Sequence, residues 1–152
     1  METYRQRRAS LTILRVQFTL KKSEILRGND TVERLLQNCK KFEGKILRCY
    51  VTTKPREVRR FTPGVAVAFA VKKSLKRAVD RNYVRRRMRE AYRLNKLVLL
   101  SQVQDSDPQI QILFVYSSPK SKEPQLPSYA GIRDDIVMLL SKISKVKLER
   151  SQ

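Results

Sequence analysis

The chain has 152 residues, enough for one domain with a single core, and its 34 Lys and Arg against 14 Asp and Glu leave a formal charge of +20. Such an excess repels itself and calls for a polyanionic partner, nucleic acid first. With no histidine and two cysteines, Cys39 and Cys49, the composition excludes His-based acid–base chemistry, Ser-His and Cys-His pairs, a disulfide framework and a four-thiolate metal site.

No apolar run approaches the length of a membrane span, and no signal-peptide pattern opens the chain. No membrane partner is therefore expected. Both cysteines read as small buried apolar residues in a reducing cytoplasm.

Residues 1–25 carry Arg5, Arg7, Arg8, Arg15, Lys21 and Lys22 against Glu2 and Glu24. They are expected to form a mobile basic arm, although "LTILRVQFTL" (11–20) has some strand-like alternation. The domain proper is expected over 26–145. "NDTVERLLQNCKK" (29–41) predicts a first helix, with Asp30 as cap and Glu33 completing a capping box. Val32, Leu35, Leu36 and Cys39 follow the spacing of one buried face, and Gly44 ends the segment. "KILRCYVTT" (45–53) predicts a strand, and a basic turn with Pro55, Pro63 and Gly64 follows it. "VAVAFAV" (65–71) is a near-continuous apolar run, expected to be a strand covered on both faces.

A second helix is expected over 79–99, a turn over 104–109 and a strand over 110–116. A Pro- and Ser-rich loop occupies 117–128. The last helix begins near Ser128, with Ile132, Ile136, Leu139, Leu140 and Ile143 on one face. Residues 146–152 are expected to fray. Strands and helices alternate without an internal repeat, so one sheet with helices packed on it is the economical arrangement.

The second helix holds the strongest signal. From Lys72 to Arg93 there are ten Lys or Arg against two acids, Asp80 and Glu90. At about 100° per residue, Val84, Met88, Ala91 and Leu94 gather on one side, with Tyr92 at the border. Arg81, Arg85, Arg89 and Arg93 form an i, i+4 row on the other side, with Asn82 and Arg86 beside it. Like charges at this spacing cost helix stability, and an ordinary solvated face usually mixes signs. A row of guanidinium forks suits phosphates.

"VAFAVKKSLKRAVDRNYVRRRMREAYRLN" (67–95) resembles the signature segment of the bacterial ribonuclease P protein subunit. The matching positions are Ala78, Val79, Arg81, Asn82, Arg85, Arg86, Arg89, Glu90 and Tyr92, placed after a strand as in that family. The likeness extends more weakly from about Leu26 to Ile143. It implies an α/β (α+β) sandwich in the order α-β-β-β-α-β-α, with a mixed four-stranded sheet. It also implies a left-handed crossover where the general rule favours the right-handed form.

The resemblance implies a protein component of an endoribonuclease holoenzyme whose catalytic centre lies in the RNA subunit. That RNA requires Mg2+ and hydrolyses precursor tRNA to remove the 5′ leader. The implied partners are ribonuclease P RNA and precursor tRNA; no protein partner is legible. Carried over by position, Lys73, Arg81, Asn82, Arg85, Arg86, Arg89 and Arg93 would bind the RNA subunit. Val32, Leu36 and Tyr50 would line the leader-binding cleft, where the Tyr50 ring can stack on a base of any identity. The chain departs from the family pattern at five places. Val32 and Leu36 stand where it usually has aromatics, Lys76 and Cys39 where it often has Gly, and Arg87 at a commonly apolar place.

Two other functions fit the composition. A ribosomal protein or general RNA chaperone would carry the same charge. A stand-alone nuclease would need clustered carboxylates, and Asp105, Asp107, Asp134, Asp135 and Glu90 form no convincing constellation in the sequence.

Overall fold

The computed structural model describes residues 18–57, 62–104, 107–117 and 126–150. Among them the strands are β1 (Lys40–Glu43), β2 (Leu47–Lys54), β3 (Val65–Val71) and β4 (Gln109–Tyr116). The helices are α1 (Asn29–Gln37), α2 (Ala78–Asn95), the single turn α3 (Leu97–Leu100) and α4 (Tyr129–Arg150). The sheet order is β1-β2-β4-β3. β2 is antiparallel to both of its neighbours, whereas β3 and β4 run parallel. Parallel neighbours need a long crossover, and α2 and α3 supply it.

The two sheet faces follow from side-chain alternation. Leu47 and Cys49 of β2, Val65 and Val67 of β3, and Ile110, Ile112, Phe114 and Tyr116 of β4 share one face. Against them pack Val84, Met88, Ala91 and Tyr92 of α2 and Ile132, Ile136, Leu139, Leu140 and Ile143 of α4. Phe69 and Phe114 stack with ring centroids 5.8 Å apart, and Tyr92 meets Phe69 edge-on at 5.9 Å. Leu113, Val115 and Ala68 face the other way, against Leu35 of α1.

A buried carboxylate ties α4 to the β1–β2 hairpin. Asp135 is 4% exposed. Its oxygens accept hydrogen bonds from the backbone N–H of Lys45 (3.2 Å), Ile46 (2.5 Å) and Leu47 (2.8 Å). Gly44 belongs to the same motif, because a Cβ there would lie 2.6 Å from Asp135 Oδ2.

Several sequence expectations are corrected. The first helix ends at Gln37, and Asn38 leaves helical geometry at φ −144°. Cys39 therefore lies beyond the helix, and Lys40–Glu43 pairs with β2 as an edge strand. The N-cap is Gly28, at a φ of 88° that favours glycine, with no side-chain cap hydrogen bond. The expected Asp30–Glu33 capping box is not formed. In α2 the buried face turns toward Tyr92, which is fully enclosed, while Leu94 is 41% exposed. The long second helix breaks after Asn95, where Lys96 begins the separate turn α3.

The expected basic arm is packed from residue 18 onward, and 1–17 lie outside the described residues. The Phe18 carbonyl accepts a bond from Arg93 Nη1 at 2.8 Å. Lys96, only 4% exposed, donates to Thr19 O (2.7 Å) and Glu24 Oε1 (2.9 Å). Ile25 bridges to Val67, and Leu26 N donates to Val67 O. This segment covers the open edge of β3, a common way to blunt an edge strand. At the other end α4 continues to Arg150, past the expected frayed boundary at 146. No helix among the described residues is long and apolar enough to cross a membrane.

Candidate nucleic-acid interface

The basic helix follows directly after β3 and a turn carrying Lys72, Lys73, Lys76 and Arg77. Its apolar side is fixed by Val84, Met88, Ala91 and Tyr92, all buried. The cationic row is thereby placed along one flank of α2, beside the edge strand β3.

The row divides by what each side chain already binds. Arg81 Nη1 donates to Leu75 O (2.9 Å) and Lys76 O (2.7 Å), so this residue braces the turn before its own helix. Arg85 Nη1 donates to Asn82 Oδ1 at 2.8 Å. Arg93 pairs with Glu90, its Nε 3.0 Å from Oε2, and also holds Phe18. That pairing lowers the Glu90 carboxyl below its ordinary value and raises the Arg93 guanidinium. Arg86 and Arg89 are exposed, and no carboxylate pairs with either among the described residues. Lys73 is exposed in the preceding turn. The row expected from spacing therefore divides: Arg81, Arg85 and Arg93 have internal partners, while Arg89, with Arg86 beside the row, presents a free fork.

A groove of about 520 Å³ runs beside this row. Ile25, Leu26, Gly28 and Asn29 form one lip, and Val32 and Glu33 of α1 form the next wall. Ala68, Ala70 and Leu113 make the floor, while Arg85 and Arg89 reach in from α2. Its depth comes from side-chain size. β3 sends Val65, Val67 and Phe69 to the helix layer but only Ala66, Ala68 and Ala70 to the opposite face. Tyr50 is half-buried and packs with the Leu35, Ala68 and Leu113 cluster on this groove side.

Of the three residues expected to line a cleft, Val32 lines the groove and Tyr50 shares its face. Leu36 does not; it is 45% exposed and outside the lining. The alanine floor and the Leu26–Asn29 lip were missed. The alternation of large and small residues in "VAVAFAV" carried the floor, since one face of that strand has room only if nothing large fills it.

Asp105 lies outside the described residues, and the other carboxylates weighed in the sequence have partners of their own. Asp135 caps the hairpin, Asp134 pairs with Arg133, and Asp107 Oδ2 accepts a bond from Gln104 N. No three His, Cys, Asp or Glu side chains come together among the described residues. Burial pushes the Cys49 thiol up to about 12, which keeps it protonated and inert as a nucleophile.

Known proteins resemble the chain in both sequence and fold. The family model described as Ribonuclease P matches residues 20–144. The chain is 32% identical over 131 residues to a "Ribonuclease P protein component" from Chlorobium phaeobacteroides, covering 82% of this chain and 88% of the relative. A protein of the same description from Chlorobaculum tepidum is 33% identical over 139 residues, covering 88% of each. Among solved structures, a Staphylococcus aureus RNase P protein superposes with a TM-score of 0.55 at 19% identity, covering 82% of this chain and 98% of that one. The Thermotoga maritima protein gives 0.54 at 16% identity, covering 78% and 96%. These two likenesses speak for the fold.

Proposed function

The chain belongs to the ribonuclease P protein family, and on that premise we propose that it binds ribonuclease P RNA through α2 and the 5′ leader of precursor tRNA in the alanine-floored groove. Membership in this family supports a role in an endoribonuclease holoenzyme that acts in tRNA processing. The observation that carries the finer reading is the meeting of two surfaces at one edge: the free forks of Arg86 and Arg89 and a groove into which Arg85 and Arg89 project.

Each surface has a physical task. Guanidinium forks neutralise phosphates and release counterions, which favours holding two RNAs together. The groove is wide, apolar at its floor and cationic along one wall. An unpaired strand fits such a surface, with its backbone along Arg85 and Arg89 and a base against Tyr50. With Val32 in place of an aromatic, Tyr50 and charge carry the grip.

Hydrolysis of the phosphodiester at the mature 5′ end is assigned to the RNA subunit, with its Mg2+, in the cytoplasm. The protein chain positions substrate and screens charge. The test is leader release from a precursor tRNA, with a bacterial ribonuclease P RNA, at low magnesium. Cleavage that needs both RNA and protein is expected. Cleavage by the protein alone, or no stimulation by it, would overturn the reading.

A further inference from the structure

α2 has a flank that the RNA reading above does not use. It lies across the helix from the groove, toward the start of α4. There the Arg87 guanidinium carbon sits 4.8 Å from the Tyr83 ring centroid and 5.9 Å from that of Tyr129. Tyr83 is 37% exposed, and Leu94 on the same helix is also open. Arg86, Arg87, Glu90, Leu94 and Tyr129 line an open groove of about 530 Å³. Large side chains of α2 are thus left in water on the flank of a helix whose other flank is cationic.

We propose that Tyr83, Arg87 and Tyr129 form a second RNA-contact shelf, which stacks an unpaired base and holds its phosphate. This rests on the reading that the chain binds RNA, and it adds a site distinct from the leader groove and the Arg86–Arg89 forks. Three features favour RNA over a protein partner. The Arg87 guanidinium lies over the Tyr83 ring and near the Tyr129 ring, so flat π surfaces are grouped on this flank, and bases of any identity stack on such surfaces. No carboxylate pairs with Arg87 among the described residues, so its N–H edge remains available for a phosphate oxygen. The acid in the groove, Glu90, is held by Arg93, which offsets its repulsion of phosphate. Arg86 joins the shelf to the row, so one strand can pass from one flank of α2 to the other.

The chain has no tryptophan, so Tyr83→Trp places a single indole reporter on the shelf. The probes are a twelve-nucleotide oligouridylate and a twelve-base-pair RNA duplex, each titrated into the full-length protein. Stacking predicts indole quenching by the single strand and little by the duplex. Tyr83→Ala should weaken single-strand binding by about tenfold, with Tyr83→Phe restoring it because the ring suffices. Arg87→Ala should weaken it as well. Arg89→Ala is titrated in parallel. If it weakens binding of both RNAs while the Tyr83 and Arg87 variants bind as the parent does and the indole stays unquenched, the shelf is wrong and the row stands. If Arg89→Ala binds normally, it is the row that fails. Equal quenching by duplex and single strand would contradict stacking and reduce the shelf to charge.

Discussion

The two faces of the sheet are made from the same strands and do opposite things. Toward α2 and α4, β3 contributes Val65, Val67 and Phe69, which join Tyr92, Met88, Ile136 and Leu139 in one core. Toward α1, the same strand contributes alanines, and a nine-residue helix covers the sheet only in part. Large residues on one face give a rigid slab, whereas small residues on the other leave room for a ligand. On the proposed reading, stability and binding divide by side-chain parity along a single strand.

That separation can be broken most severely from the slab side. Phe114→Ala removes the centre of the Phe69–Phe114–Tyr92 cluster and should cost about 3–5 kcal/mol in urea unfolding. A loss below about 1 kcal/mol would show that the slab is less tightly packed than its ring geometry indicates. Asp135→Ala comes next. It strands three backbone donors at the β1–β2 turn, and a loss of about 2–3 kcal/mol is expected from the same measurement. RNA affinity of the folded fraction should not change.

From the groove side, Val32→Phe sharpens the comparison. It adds a ring beside the alanine floor and should tighten binding of a leader-bearing precursor tRNA by about fivefold, leaving mature tRNA unaffected. An equal gain for both RNAs would place the leader elsewhere. The smallest effect concerns the cysteines. Iodoacetamide at pH 8 should label the half-buried Cys39 and spare Cys49, as read by mass spectrometry. The folded state keeps the Cys49 proton up to about pH 12, whereas an exposed thiol releases it near 9.0. Its contribution to stability is therefore complete below the ordinary thiol value and is lost as pH rises through that window.

Most of the slab was legible in the sequence, because long periodic segments dictate their own faces. Ile132, Ile136, Leu139, Leu140 and Ile143 are all buried as their spacing requires. The short edge strand β1 was not legible from its residues. Lys40, Lys41 and Glu43 are exposed, only Phe42 turns inward, and four residues are too few to show alternation. The helical spacing of Val32, Leu35, Leu36 and Cys39 then ran over it. Leu94 was misplaced for a related reason. On a helix with apolar residues around more than half its circumference, tertiary packing chooses the face, and Phe69 and Phe114 draw in Tyr92 instead.

In the site, the density of arginine was plain but its division of labour was not. The internal duties of Arg81 and Arg93 depend on the carbonyls of Leu75, Lys76 and Phe18, which no spacing rule brings near. The groove's alanine floor was written in the strand as a size alternation; residues 65–68 are buried on both faces, as the apolar run led one to expect, and the strand is half-buried from Phe69 on.

The central claim is that Arg86 and Arg89 neutralise RNA phosphates. Its most direct test is the salt dependence of binding to ribonuclease P RNA, compared between the parent chain and the Arg86→Ala/Arg89→Ala double variant. The account predicts weaker binding and a log–log slope shallower by about two, one for each phosphate that the variant no longer neutralises. An unchanged slope, with the variant folded, would contradict it.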